Sequence, residues 1–222
     1  MVGDVRREGG TLVNLGNAYA HLGQYDKVIE SQEQALAIHR KIGNVEGEGK
    51  GLGALGSAYA DLGQYAKAIE SYEQALALRR KIGDIQGKGR TLENLGTVYG
   101  ELGQYAKAIE YYEEALTIHR KIRNVSSEGS VLGNLGAVYA HLGQDAKAIE
   151  CLNQALVISR KIGDTRGEGN ALGNLGSTYD DLRQHDKAFE LLKASEVIFE
   201  DRLRVTFPWK ARLERLKNEP RN

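Results

Sequence analysis

Asp84-IQGKGRTLENLGTVYGELGQYAKAIEYYEEALTIHRKI-Arg123 is the stretch that decides the fold. The same string returns forty residues to either side, at 44–83 and 124–163. It returns again at 4–43 and, frayed, at about 164–204. A fixed period of this size marks a solenoid, in which each unit buries its apolar face against the next. The expectation is therefore one array, residues 1–222, of five units rather than separate domains.

Each unit reads as two helices. Asp4, Asn44, Asp84, Asn124 and Asp164 stand at N-cap positions, where a short side chain accepts from the free N–H groups of the first turn. In the third unit Ile85, Leu92, Leu95, Tyr99 and Leu102 recur at helical spacing. A Leu-Gly-Gln turn follows, with Gly103 in the role that ends a helix at positive φ. The second helix carries Ala108, Ile109, Tyr112, Ala115, Leu116 and Ile122 on one stripe. Gly96 is a poor helix former, about 1 kcal/mol worse than alanine, so its recurrence points to close packing. Arg123 and Arg183 replace turn glycines and are expected to need a different local turn. After Arg204 the period ends. Thr206-Phe207-Pro208 reads as the start of a capping helix over about 206–217, with Trp209, Leu213 and Leu216 on one face. The tail from Asn218 is expected to be loose.

Leu92, Leu95, Gly96, Tyr99, Ala108, Tyr112 and Ala115, with their copies, resemble the tetratricopeptide repeat. The usual repeat is shorter; here each helix gains about a turn. This longer form is similar to the arrays of Pins-type polarity adaptors, rapsyn and bacterial signalling proteins. The resemblance implies an all-α, right-handed superhelix, with first helices lining a concave face and second helices on the convex one.

Comparing units shows where change gathers. The leucine series Leu12 to Leu172 and the tyrosine series Tyr19 to Tyr179 are constant. Four first-helix series vary. They are Gly10, Lys50, Arg90, Ser130, Asn170; Val13, Gly53, Glu93, Gly133, Gly173; Asn17, Ser57, Thr97, Ala137, Ser177; and His21, Asp61, Glu101, His141, Asp181. Spacings of three and four put them on one stripe, away from the leucine–tyrosine face. Drift of solvated positions is the alternative, but the exposed Lys107 and Glu110 barely change between units. A fifth series is Asn14, Ala54, Asn94, Asn134, Asn174. A carboxamide both donates and accepts, so it suits a peptide backbone of any sequence. Helices spaced ~8–10 Å apart match about three extended residues at ~3.3 Å each. Hydrogen bonding between neighbouring repeats explains the same series equally well. In the Pins-type resemblance this asparagine and the Arg90 position face the bound peptide. Lys50 and Arg90 make one edge of the stripe basic; Asp61, Glu93, Glu101, Asp180 and Asp181 make the other acidic. The lysine–arginine pattern with which chaperone-type arrays clamp a terminal carboxylate is not reproduced at Val13, Gly53 and Glu93.

Other functions are poorly supported. Thirty Lys and Arg balance thirty Asp and Glu, which disfavours nucleic acid and membrane surfaces as partners. Gly51-Leu-Gly53-Ala-Leu-Gly56 matches a dinucleotide fingerprint as a string but lies in a helical repeat without the required strand. His39 and His119, or His21 and His141, are equivalent positions in different units and cannot meet on a metal. Cys151 lacks a partnered histidine, and no nucleophile–base arrangement recurs. No cofactor, metal or catalytic residue is expected. The basic pairs from Arg40-Lys41 to Arg160-Lys161 complement helix dipoles, with a phosphate-binding edge as the alternative.

The expectation is a non-catalytic, cytoplasmic scaffold binding an extended peptide or partner protein in the groove. The expected contacts are Asn14, Asn17, His21, Lys50, Asp61, Arg90, Glu93, Asn94, Thr97, Glu101, Asn134, His141, Asn170, Asn174 and Asp181. The second expectation, drawn from a first repeat without a cap before it, is an assembly module of a larger signalling or effector protein. That module would associate end to end through its repeats.

Overall fold

Asparagine and aspartate open helices at the repeat boundaries. In the computed structural model, which describes residues 2–218, the side chains of Asn44, Asp84, Asn124 and Asp164 accept from the N–H three residues on. The distances are 3.0, 2.8, 3.2 and 2.9 Å. Each such cap satisfies an orphan donor and is worth about 1 kcal/mol. The first repeat differs: its helix spans Val2–His21, so the backbone is already helical at Asp4, which is not a cap.

The described residues are helical, with no strand, and consecutive helices pack in pairs. They are α1 (Val2–His21), α2 (Tyr25–Lys41), α3 (Val45–Asp61), α4 (Tyr65–Ile82), α5 (Ile85–Glu101) and α6 (Tyr105–Lys121). Then come α7 (Val125–His141), α8 (Asp145–Ile162), α9 (Thr165–Asp181), α10 (His185–Val197), a π-helical turn (Ile198–Arg202) and α11 (Lys210–Asn218). The chain forms two compact units, residues 1–118 and 119–222. In the first, α1 packs on α2, α2 on α3, α3 on α4 and α4 on α5. In the second, α7 packs on α8, α8 on α9, α9 on α10 and α11 on α10.

Constant residues make the cores. Leu92, Leu95, Ala108 and Ala115 are fully buried. A Cβ on Gly96 would stand 2.7 Å from Cδ1 of Tyr112, so the absent side chain seats that ring. Ile85 and Leu102 depart from the expected stripe, at 45% and 40% exposed. They begin and follow α5, where no neighbour covers them.

Gly83 and Gly103 take φ of 70° and 69°. Arg123 and Arg183 do not change the turn, contrary to expectation: they adopt φ of 56° and 59°. Their N–H groups reach the carbonyls of Arg120 and Asp180 at 3.1 and 2.8 Å, as Gly103 reaches Gly100 at 2.9 Å. The hydrogen-bonded frame overrides a residue preference of about 1–2 kcal/mol.

At the C-terminal end, α11 starts at Lys210 rather than at Thr206. Phe207 precedes it, fully buried, among Phe199 and Trp209 with ring centroids 5.9–6.3 Å apart. Leu213 and Leu216 are buried under α11. The expectation of a loose tail from Asn218 lies almost wholly outside the described residues.

Candidate partner-binding face of the first helices

First helices expose the variable stripe because their leucines and tyrosines turn the other way. In the first compact unit, α1, α3 and α5 bring part of that stripe round a hollow of about 440 Å³. Asn17, Lys50, Arg90 and Asn94 line it together with Ser57, and the hydroxyl of Tyr72 and the guanidinium of Arg79 form its floor. Lys50 is exposed and pairs with Glu46 at 2.5 Å. Ser57 lies 3.0 Å from the Tyr72 hydroxyl. Burial raises that phenol's pKa. Asn94 itself lines the hollow.

Glu93 is half-buried beside Arg90. Burial pushes its carboxyl up to about 7, against the lowering pull of Arg90. Its carboxyl therefore lies next to the basic edge that Arg90 forms. Thr97 is engaged within the fold: it donates to the Glu93 carbonyl at 3.1 Å and accepts from the Tyr112 hydroxyl at 3.0 Å.

In the second compact unit, Asn134, Asn170 and Asn174 line a hollow of about 270 Å³ with Ser130, Ser159, Asp164 and Arg166. His21, Asp61, Glu101, His141 and Asp181 are the last residues of their helices, exposed and outside both hollows. Asn14 is exposed and lines neither hollow. The acidic edge needs a correction at its end. Asp180 is buried and held by Arg212 at 3.1 Å, His185 at 3.1 Å and Arg215. Arg212 also takes Asp181 at 2.7 Å. The reason is α11, which lays these arginines across the end of α9.

The arginines of the basic row at the ends of the second helices have local acidic partners. Arg40, Arg120 and Arg160 pair with Glu48, Glu128 and Glu168 at 2.8, 2.8 and 2.9 Å. Lys88 stands where those glutamates stand, and there Glu114 pairs with both Lys88 (2.6 Å) and Arg80 (3.7 Å). Glu114 replaces the glutamine of neighbouring repeats and offsets part of the charge that Lys88 adds. The glycine string at 51–56 is interior to α3 and half or fully buried.

Sequence reasoning missed the floor of both hollows. Tyr72 and Arg79 belong to a second helix, and attention fell on first-helix variation. The available signal was the series His39, Arg79, His119, Ser159, Phe199, which changes as sharply as any on the first helices. All five side chains are buried. Burial lowers the pKa of His39 and His119, favouring the neutral ring.

Comparison with known proteins follows the same pattern. The tetratricopeptide repeat family profile matches residues 8–81, 49–121 and 127–201. Among proteins of curated function none matches. Of solved structures, the chain is 25% identical to the nearly identical TPR-like repeats of a candidate kinesin light chain from Podosopora anserina. That match covers 90% of this chain and 98% of the other, with a TM-score of 0.73. A signal-transduction ATPase with a tetratricopeptide repeat sensor, from Pyrococcus horikoshii, is 22% identical with a TM-score of 0.82. It is covered over 97% of this chain but 34% of its own length. Aspartyl phosphate phosphatase F of Bacillus subtilis is 17% identical over 96% of this chain and 61% of its own, with a TM-score of 0.70. The last two likenesses speak for the fold alone.

Proposed function

Because the chain belongs to the tetratricopeptide repeat family, we propose that it is a non-catalytic scaffold holding an extended peptide or partner protein along its first helices. The observation that carries this reading is the segregation of change along the first helices. The variable Lys50, Arg90, Ser130 and Asn170 line the two hollows, while the recurring Leu52, Leu92, Leu132 and Leu172 are buried outside them. In this reading Asn17, Lys50, Arg90 and Asn94 contact the partner in the first compact unit, and Asn134, Asn170 and Asn174 in the second. Asparagines bond the partner's backbone; Lys50, Arg90 and Glu93 select charge. Asn14, His21, Asp61, Glu101 and His141 extend the contact along the exposed helix ends. The proposal sets the protein in the cytoplasm, where the thiol of Cys151 stays reduced.

The test begins with peptides selected from a displayed random library against the wild-type protein. Their affinity should fall about tenfold or more for Arg90→Glu and for Asn94→Ala. Unchanged affinity in variants whose circular dichroism matches wild type would reject this face as the binding site.

A further inference from the structure

The buried series at positions 39, 79, 119, 159 and 199 supplies an internal template. Arg79 in the first compact unit is gripped on several sides. Its Nη1 donates to the Gly87 carbonyl at 2.7 Å and to the Thr91 hydroxyl. Its Nη2 donates to the Gly49 carbonyl at 3.2 Å, and the Asp84 carboxylate stands 3.8 Å from Nε. These acceptors form a fork-shaped berth, which a planar guanidinium fills and a point charge does not.

Ser159 occupies the corresponding place in the second compact unit, and there the hollow of about 270 Å³ reaches Gly129, Asp164 and Gly167, whose counterparts in the first unit lie under Arg79 and outside its hollow. The partners of the arginine are still in the wall. Gly129 corresponds to Gly49, Gly167 to Gly87 and Asp164 to Asp84, and all three line the hollow. Only the counterpart of Thr91 has changed, to Ala171. The carboxylate is oriented alike: Oδ1 of Asp164 accepts from the Gly167 N–H at 2.9 Å, as Oδ1 of Asp84 does from Gly87 at 2.8 Å. Its other oxygen and the Ser159 hydroxyl flank one spot, 2.3 and 2.6 Å from where a Gly167 Cβ would lie. The rim is less cationic than in the template. Lys50 and Arg90 are replaced by Ser130 and Asn170, and Arg166 is the one cation in the lining. In the template Arg79 and Arg90 line one hollow together although Arg90 repels the guanidinium, so the more neutral rim here is the more favourable for a bound cation.

We propose that this hollow binds the guanidinium of an arginine side chain supplied by a partner, through the acceptors that Arg79 uses in the other unit. The source of that arginine rests on the scaffold reading above. The site itself does not, because a free arginine derivative tests it without any partner.

The probe is N-acetyl-arginine-methylamide, titrated into the full chain and followed by amide NMR. Saturable shifts are expected at Gly129, Gly133, Gly167 and Asn170, with a dissociation constant on the order of 1 mM. The lysine analogue should bind at least about tenfold more weakly. Ser159→Arg should fill the hollow from within and abolish the shifts. Asp164→Asn keeps a capping residue already used at Asn44 and Asn124, yet removes the charge and should weaken binding about tenfold. If Ser159→Arg fails to fold by circular dichroism, Asp164→Asn alone decides. No saturable response in the tens of millimolar, equal binding of the two analogues, or indifference to the variants would overturn the proposal. A failed peptide selection with these shifts intact would remove only the scaffold reading.

Discussion

Glu93 holds its proton more tightly in the folded protein, with a carboxyl pushed up to about 7, than in the unfolded chain, where it titrates near 4.5. The sign follows from linkage. Its contribution is fully present below the unfolded value and is lost as pH rises through the folded one. Relative to Glu93→Gln, the wild type should lose about 1–3 kcal/mol between about pH 5 and about pH 8. Paired urea titrations at the two pH values measure this, and parallel profiles would contradict it. Arg123 and Arg183 carry a different strain, positive φ without glycine's freedom. Replacing either by glycine should stabilise by about 1 kcal/mol, seen as a higher denaturation midpoint; a lower midpoint would show that the arginine side chain compensates. Single residues also show where sequence comparison misleads. Lys107 is constant between repeats because its ammonium lies 4.8 Å from the Tyr99 ring centroid, and each repeat has its copy of that pair. Its constancy is structural, so contrast with it was weak support for selection on the first helices.

Within elements, the caps and turns were legible because their chemistry is local. An asparagine or aspartate three residues before an unpaired N–H makes its bond whatever surrounds it. The starts of α1 and α11 were not: α1 runs straight through Asp4, and before α11 the rings of Phe207 and Trp209 are drawn into the core. Gly96 tests the element-scale account. In an open helix, alanine for glycine gains about 1 kcal/mol. Here the Cβ would enter the Tyr112 ring, 2.7 Å from Cδ1, and Gly96→Ala should instead destabilise by about 1–3 kcal/mol. A stabilised variant would mean that the ring moves freely, and that the recurring glycine has another cause.

For the whole molecule, the forty-residue period carried the helix pairing and the family, since each copy of the repeat holds the same apolar and small residues at the same places. The hollows were only half legible. Their rims, Lys50, Arg90, Asn94, Asn134 and Asn170, come from one helical stripe, which periodicity reveals. Their floors, Tyr72, Arg79 and Ser159, come from second helices that only folding brings underneath. The cover of Asp180 by Arg212 and Arg215 was equally invisible, because α11 lies outside the period. The central claim is that partners meet the variable face of the first helices. Its most direct test places a photo-activatable cross-linking residue at Ser57, on the rim, or at Glu110, exposed on a second helix, and illuminates each with a selected peptide bound. The account predicts covalent capture from position 57 and little from position 110. Efficient capture from 110 with none from 57 would contradict it.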